Sequence, residues 1–521
     1  MGVFEIYFIG SNEIAQSVSS WLQELVEDFE FRSIIKNFSS LPNGWALVAI
    51  APKFQIAAVD KVRSTPLFYS HSQSLCVVSD SARELRKEIN SSQINNQALI
   101  EFSMAGYCTG KETLVADLMQ LQAGEILMRD PIARTVQATR YYRYIPLPEK
   151  VGTLKRWIDE LSFTTEQIFK RMIESAGGRQ ILVPLSGGLD SRLILAMLRQ
   201  LGYENVRTFS YGPPGNYEAR VAKYVAKRLG YQWEFVPTNH ASYRRYFWSP
   251  ARKSYWDFSD GLCTIPNMQD IHPLMQLREC GLNQDVIVVN GQSGDYISGG
   301  HIPSILFENQ DRGILVGSLL KKHFGLRRSL LTEENIKIVS ERIEDSFRMM
   351  EIASGRTLSS ASLYESWEWQ ERQCKYVIGG QRIYDWLEMD WRLPLWDATY
   401  LEFWSRVPFE LKSEQRLYKE YLRSRDFFGL FRDFNPKVWR WPGASMAVLP
   451  IAQIVGLLAG GSAKQCFYAY ARYIGHYGPN YAPWGARHFL RNASDIRNSV
   501  SLIVVEWINE TLRKGDLAPP S

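Results

Sequence analysis

The chain has 521 residues, of which 45% are hydrophobic and 22% are charged, and its formal net charge is +5. These values are ordinary for a globular enzyme, and the length predicts two or more domains. The net charge is small for this size and no run of five or more basic residues occurs, so charge gives no indication of nucleic-acid binding.

Cysteine usage and hydropathy exclude several other classes. The six cysteines are scattered without a Cys-x-x-Cys pair or a zinc-finger spacing, which argues against a disulfide framework and a structural zinc. The first residues lack the basic and apolar regions of a signal peptide. The longest apolar stretch, 447–460, is interrupted by Pro450, Gln453 and Gly456 and is too short to span a bilayer. We therefore expect a cytoplasmic protein with no membrane span.

In chain order, the first predicted region is rich in strands. Apolar runs at 3–9, 45–50, 55–59 and 75–78 are separated by turns that contain Pro, Asn and Gly. Beyond about residue 151 the pattern changes to long helical stretches that flank a few apolar strands. We therefore predict one domain over residues 1–150 and a second over residues 151–521.

The most informative segment follows a predicted strand at 181–185. The loop after this strand reads Ser186, Gly187, Gly188, Leu189, Asp190 and Ser191, and a predicted helix follows it. Glycines admit backbone N–H groups close to a polyphosphate, the serines add hydroxyl donors, and a helix N-terminus carries positive partial charge. Asp190 adds negative charge here, which a Mg²⁺ ion bridging carboxylate and phosphate oxygens would explain. The loop has neither Walker nor dinucleotide-binding spacing.

The next elements alternate between strand and helix. A strand at 206–211, a helix at 217–229 and a strand at 233–236 predict a parallel α/β sheet, with ligand at the carboxyl ends of its strands. Ser210 lies at such an end and is a predicted ATP contact. Beyond about residue 300 the chain is mostly helical and rich in Trp and Tyr.

A second glycine-rich loop follows the strand at 285–290. It spans residues 291–301 and contains Gly291, Gln292, Gly294, Asp295, Tyr296 and His301. A plain loop is one interpretation of this pattern. In the other, Asp190 and Asp295 face one ligand and hold Mg²⁺ on a leaving pyrophosphate, with Gly291 and Gly294 also at the pyrophosphate.

Taken together, these motifs resemble those of the asparagine synthetase superfamily, including its β-lactam-synthetase and lasso-peptide-cyclase relatives. The first loop resembles the family's Ser-Gly-Gly-x-Asp-Ser pyrophosphatase loop, and the second resembles Gly-Glu-Gly-Ala/Ser-Asp-Glu-x-x-Gly-Gly. Further matches lie at 43–46, 60–69, 392–397 and 419–423. The resemblance implies an Ntn-hydrolase-like, β-rich glutaminase-type domain. It also implies a parallel-sheet, adenine-nucleotide α-hydrolase-like (PP-loop) domain with a helical C-terminal part.

The same resemblance implies roles for individual residues. A substrate carboxylate attacks the α-phosphate of ATP and releases pyrophosphate, with Mg²⁺ between Asp190 and Asp295. Lys419 neutralises charge on the phosphate and on the acyl centre; without the resemblance it would be interpreted as a solvated helix lysine. Arg392 and Asp397 are expected to organise the core under the site.

Three departures from the family pattern affect the expected chemistry. Gly2 stands where the family's glutaminase has its nucleophilic cysteine, so we expect a degenerate glutaminase domain. Gln292 replaces a glutamate near the acyl intermediate and cannot take up a proton. Tyr296 replaces the acid after Asp295. Gln292, Tyr296 and His301 are the predicted substrate contacts.

The expected function is therefore ATP-dependent amide formation on a small-molecule or peptide carboxylate. The nitrogen donor would be ammonia or an amine, with a separate glutaminase as one source, and the resemblance allows a homodimer. A second hypothesis is an intramolecular amide cyclase, in which the amine belongs to the substrate. A third, non-catalytic hypothesis is a nucleotide-binding scaffold, and the intact loops argue against it.

Overall fold

The computed structural model describes residues 5–27, 31–71, 76–149, 152–283, 285–432, 444–472 and 483–513. Gly2 therefore lies outside the described residues. The strands are β1 (Glu5–Ile9), β2 (Ala46–Ala51), β3 (Phe54–Val59), β4 (Phe68–His71), β5 (Cys76–Ser79), β6 (Met119–Gln120), β7 (Glu125–Asp130), β8 (Thr135–Arg140), β9 (Gln180–Pro184), β10 (Val206–Gly212), β11 (Gln232–Pro237), β12 (Val286–Val289) and β13 (Asp390–Arg392).

The helices that precede the second glycine-rich loop are α1 (Asn12–Glu27), α2 (Phe31–Ser40), α3 (Ala82–Glu88), α4 (Asn96–Ala105), α5 (Leu154–Ala176), α6 (Leu189–Gln200), α7 (Tyr217–Leu229), α8 (His240–Phe247), α9 (Pro250–Ser259) and α10 (Ile271–Glu279). Those that follow it are α11 (Arg312–His323), α12 (Glu333–Ser354), α13 (Ser360–Glu368), α14 (Arg382–Trp386), α15 (Ala398–Arg406), α16 (Phe409–Lys412), α17 (Arg416–Ser424), α18 (Ala444–Arg472), α19 (Ala486–Asn492) and α20 (Ser499–Ile508). Short π-helical segments at Tyr296–Gly300 and Trp369–Val377 interrupt the regular pattern.

The N-terminal part is built on two antiparallel sheets, which confirms its predicted β-rich character. One has the strand order β1-β2-β3-β7-β8 and the other the order β5-β4-β6. Helices α1 and α2 cover the larger sheet with Val18, Leu22 and Phe38, which pack against Trp45. These two helices were not predicted, although their buried residues are spaced four apart.

The second part is built on a five-stranded sheet, all of whose pairings are parallel, in the order β11-β10-β9-β12-β13. The predicted parallel sheet is thus confirmed. Ile181 and Val183 face the core formed with α5, α6 and α7, while Leu182 between them faces the opposite core, because successive side chains alternate along a strand. Strand β9 lies between β10 and β12, so the loops after β9 and β12 emerge side by side. This reversal of strand order is where parallel sheets bind ligands.

The helical C-terminal part of the fold class is also confirmed. The described residues contain no helix that is both long and apolar enough to cross a membrane. Phe68 and Phe102 of the N-terminal part share one core with Leu182 and Val288 of the parallel sheet. The two parts therefore pack together as one body, and their division at about residue 150 stays a prediction.

Candidate active site

A cavity of about 530 Å³ opens at the carboxyl ends of β9, β10 and β12. Predicted site residues on its wall are Ser186, Gly188, Asp190, Ser191, Ser210, Gly291, Gln292 and Asp295. Side chains that sequence reasoning did not assign also line it, among them Asp270, His272 and Gln415. The structure thus gathers both glycine-rich loops around one space large enough for a nucleotide.

A buried arginine shapes the first loop. Arg192, in the first turns of α6, donates from Nη2 to the carbonyl of Gly187 (2.7 Å) and from Nε to that of Gly188 (3.2 Å). Its Nη1 donates to the carbonyl of Leu430 (2.9 Å) and ties the loop to the helical part. These bonds occupy two loop carbonyls that would otherwise repel a phosphate. The N-terminus of α6, with its positive partial charge, remains at the cavity.

The two loops touch through glycine positions of the second loop. A methyl group placed on Gly294 would lie 2.4 Å from Asp190 Cγ, and one on Gly291 would lie 2.9 Å from the backbone nitrogen of Ser191. Heavy atoms do not approach this closely without displacement, so each position requires the absence of a side chain. Gly294 lies in the loop behind the Asp190 carboxylate and does not itself line the cavity.

Asp190 is held by a residue that the sequence analysis did not select. The hydroxyl of Tyr418, on α17, donates to Asp190 Oδ1 (2.8 Å). Burial and the negative charge of Asp295 raise the pKa of Asp190 to about 7, although hydrogen bonds from Tyr418 and from the Asp295 backbone act in the opposite direction. Because this repulsion requires a short distance, the two predicted carboxylates lie near one another. A site of this kind favours a cation.

Asp295 is the more exposed of the pair, with 58% of its side chain accessible. His301 lies against it, with Nε2 at 3.2 Å from Asp295 Oδ2 and Nδ1 at 2.5 Å from Glu368 Oε1. Burial lowers the pKa of His301, but its hydrogen bonds to Asp295 and Glu368 outweigh that effect and raise it. In turn, burial raises the pKa of Asp295, and the hydrogen bond and charge of His301 more than offset this and hold it below its usual value. His301 therefore connects Asp295 to a buried carboxylate behind the site.

Besides Gly187 and Gly294, three predicted residues do not line the cavity. Tyr296 is buried: its ring stacks on Trp396 at 6.0 Å and its hydroxyl donates to the Glu365 carbonyl. His301 contacts Asp295 from behind. Lys419 is half-buried on α17 and its ammonium donates to the carbonyl of Glu414 (2.5 Å). It is next in sequence to Tyr418, and that adjacency was the signal available for finding the tyrosine.

The remaining predicted contacts have defined partners. The Ser210 hydroxyl donates to the Leu185 carbonyl (2.6 Å) and accepts from Trp233 (3.0 Å), so it joins neighbouring strands at the cavity wall. The backbone N–H of Gln292 donates to Asn290 Oδ1 (3.0 Å), and Gln292 lines the cavity. Ser186 and Ser191 pair through their hydroxyls at 3.1 Å.

The cavity wall also carries Asp270, an acid that lies outside both glycine-rich loops. Asp270 accepts from the hydroxyls of Tyr211 (2.7 Å) and Tyr384 (3.1 Å), and Tyr384 in turn accepts from Asn290 (2.9 Å). Burial raises the pKa of Asp270, against the lowering effect of the two tyrosines. Nothing in the local sequence pattern marks Asp270, because its two tyrosine partners come from distant segments of the chain.

Arg392 and Asp397, which were expected to organise the core under the site, make contacts with neighbouring segments. The carbonyl of Arg392 accepts from the backbone of Asn290 (3.1 Å), and Asp397 caps α15 and pairs with Arg171 (3.0 Å). Neither lines the cavity. Arg392 thus holds the start of the loop that begins at Asn290, whereas Asp397 holds the start of α15.

Asparagine synthase is the family whose model matches this chain, over residues 175–441. That match spans just over half of the sequence and contains both loops, β13 and α17. The chain belongs to the asparagine synthase family. It therefore carries the ATP-pyrophosphatase domain of an ATP-dependent amide-forming family, which acts on a carboxylate with a nitrogen donor.

Solved structures similar to this asparagine synthase-family chain are distant. An NH3-dependent NAD synthetase from Campylobacter jejuni has 13% identity and a TM-score of 0.22, covering 44% of this chain and 97% of its own. A glutamine phosphoribosylpyrophosphate amidotransferase from B. subtilis has 12% identity and a TM-score of 0.18, covering 55% of each chain. No curated protein matches the sequence. The fold assignment accordingly rests on the sheet topology and the family match.

Proposed function

We propose that this chain is an ATP-dependent amide ligase that joins AMP to a substrate carboxylate, releases pyrophosphate, and then lets ammonia or an amine displace AMP. The observation that carries the proposal is the contact of the two carboxylate-bearing loops, in which Gly294 lies directly against Asp190. Both loops lie at the switch point of a parallel sheet, beside a helix N-terminus.

The first loop is suited to holding pyrophosphate. Ser186, Ser191 and the N-terminus of α6 present donors, and Gly187 and Gly188 let phosphate oxygens approach the backbone. Ser210, farther along the wall, would contact the nucleoside part of ATP. Arg192 acts as a positioning residue, since it fixes the carbonyls of both glycines.

Asp190 and Asp295 fit a Mg²⁺ ion that ATP brings with it. Mg²⁺ takes one or two carboxylates together with phosphate oxygens and waters. The described residues contain no cluster of three or more His, Cys, Asp or Glu side chains that could hold a metal, so phosphate would complete the ligand set. When bound, the ion would neutralise charge on the departing pyrophosphate.

Substrate activation would depend on α17 and the second loop. Lys419 would neutralise charge at the α-phosphate and the acyl centre, after its ammonium leaves the Glu414 carbonyl. Gln292 would orient the carboxylate by hydrogen bonding. Tyr296 is buried, so its part would be to support the loop.

The nitrogen donor would come from outside the N-terminal part. Its two cysteines, Cys76 and Cys108, are buried, and burial raises the pKa of Cys76 to about 11 and that of Cys108 well above its usual value. A buried, protonated thiol is a poor nucleophile. This supports either ammonia from a separate glutaminase or an amine carried by the substrate itself.

The test is isotope exchange between pyrophosphate and ATP in the presence of candidate carboxylates. We expect exchange that depends on both Mg²⁺ and the carboxylate, and a loss of about 10²- to 10³-fold in Asp190→Asn and in Asp295→Asn. Asp285→Asn is the matched control, because Asp285 precedes the same strand β12 at its opposite end. Wild-type exchange in either site variant at limiting Mg²⁺ would refute the two-loop site.

A further inference from the structure

Helix α18 is a hairpin. Its two arms, before and after Gly460, are separated by non-helical backbone at that residue (φ 83°, ψ 174°). A methyl group on Gly456 would lie 3.3 Å from Lys464 Cβ, and Lys464 Nζ donates to Gln453 Oε1 (2.8 Å). Residues eight apart in a straight helix are separated by about 12 Å, so the second arm folds back on the first.

The tip of this hairpin is apolar and faces solvent. Leu457 is 86% exposed and Leu458 is 84% exposed, the two highest values among the large apolar side chains that the structure describes. Ile451 (44%) and Ile454 (54%) continue the stripe, since residues spaced three and four apart share one helix face. A contiguous exposed apolar patch is typical of a surface that binds another protein or a membrane.

The sequence around the tip indicates what that contact is. Between Asp433 and Asp495 there is no acidic residue, whereas six basic and eleven aromatic residues occur. Among them, Arg487 and Arg491 are exposed on α19, which packs against α18. Apolar side chains flanked by Arg, Lys, Trp and Tyr are characteristic of segments that lie at the surface of a negatively charged membrane.

We propose that the apolar tip of α18 inserts into the interfacial layer of an anionic lipid bilayer, with Arg487 and Arg491 near the headgroups. The second arm of the hairpin contacts the body, because Arg328 donates to Gln465 Oε1 (3.3 Å). Insertion to about 5–10 Å requires no membrane-spanning helix. This inference is independent of the proposed function.

The experiment is co-sedimentation of the full chain with vesicles of phosphatidylcholine alone or mixed with phosphatidylglycerol. We expect binding to the anionic vesicles, weakened by salt. Replacing both leucines, Leu457→Ser with Leu458→Ser, should weaken it by about tenfold or more, because two apolar side chains no longer leave water. Ile132→Ser is the matched control, since Ile132 is 80% exposed in a turn of the N-terminal part.

The basic residues and the alternatives are tested in the same assay. Arg487→Gln and Arg491→Gln should each reduce binding to anionic vesicles by about fivefold. No vesicle binding by the wild-type chain, or equal binding by the double-leucine variant, overturns the proposal. Gel filtration without lipid tests a third outcome. If the leucine pair is instead needed for a dimer in solution, a second copy covers the tip and the proposal is wrong.

Discussion

The surroundings of Asp190 determine the pKa of its carboxyl group. It lies in the first turn of α6, faces the charge of Asp295, and accepts a hydrogen bond from Tyr418. With a pKa of about 7, Asp190 carries a proton in about half of the ligand-free molecules at neutral pH. A cation brought by ATP would displace that proton, so binding and deprotonation are coupled.

The stability of the ligand-free protein should reflect this pKa. Because the folded-state pKa of Asp190 is higher than the ordinary aspartate value of 3.8, its favourable contribution is complete below about pH 4 and is lost as pH rises through 7. Asp190→Asn should therefore unfold at a higher urea concentration than wild type at pH 8 and show a smaller difference at pH 4. Urea midpoints at both pH values test this, and equal differences at the two would contradict it.

Tyr418→Phe removes the hydrogen bond and leaves the ring in place. Since that bond stabilises the carboxylate, the pKa of Asp190 should rise further and the Mg²⁺ requirement at pH 7 should increase, with recovery at higher pH. Loss of a hydrogen bond to a charged group typically costs about 1.5–3 kcal/mol, so pyrophosphate exchange at limiting Mg²⁺ should fall by roughly tenfold or more. In the control Tyr246→Phe, the lost hydroxyl is buried without a hydrogen-bond partner. Equal rates in the two variants would count against the role of Tyr418.

Gly294→Ala tests the close approach of the loops. The new methyl group would overlap the Asp190 carboxylate and push the loops apart, and a displacement near 1 Å typically lowers a rate by about a hundredfold. Gly317→Ala is the control, because Gly317 lies in α11 with no atom within 4 Å of the added carbon. It should keep its rate and gain about 0.5–1 kcal/mol in stability. A fully active Gly294→Ala enzyme would show that the contact is not required.

At the level of secondary structure, short sequence patterns predicted the strands, helices and loops that neighbouring residues determine. The strand at 181–185, the helix at 217–229 and the glycine-rich loops were predicted because hydrophobic periodicity and glycine positions are read over a few residues. Helices α1 and α2 were missed. The contacts of Asp190 with Tyr418 and of Asp270 with Tyr384 could not be predicted, since each joins residues more than a hundred positions apart.

A buried ion pair supports the second loop from beneath. Lys412, at the end of α16, donates to both carboxylate oxygens of Glu365 at 2.8 Å, and Tyr144 of the N-terminal part donates to the same carboxylate (3.0 Å). The Lys412 carbonyl would lie 2.5 Å from a methyl group on Gly299, so the pair also fixes the end of the loop. Removal of one partner leaves a charge buried without its counter-charge.

Lys412→Met should therefore lower the free energy of unfolding by about 3–5 kcal/mol. The double variant Lys412→Met with Glu365→Gln also removes the carboxylate charge that would be buried without a partner. It should regain most of the lost free energy of unfolding. Urea denaturation of the two variants and wild type measures both effects. A single variant within about 1 kcal/mol of wild type would show that the pair does not stabilise the fold.

At the scale of the whole molecule, the N-terminal part serves the second part as a structural partner. Asn43 donates to the Trp396 carbonyl (2.6 Å), and the buried Lys375 donates to the carbonyls of Cys108 and Gly110. Asp60, at the centre of the N-terminal motif, accepts from the backbone of Gly44 and Ser64 and is fully buried. Asn43, Gly44, Asp60 and Ser64 lie in the segments that resemble the family's pattern, and in this chain they hold loops together.

In the proposed reaction a carboxylate attacks the α-phosphate of ATP, so ATP is cleaved between its α- and β-phosphates. The most direct test gives the enzyme Mg-ATP, ammonium and a substrate carboxylate labelled with ¹⁸O. The products are then analysed by phosphorus NMR and mass spectrometry. We expect AMP and pyrophosphate, with one ¹⁸O atom transferred to AMP. ADP and phosphate, or AMP without the label, would contradict it.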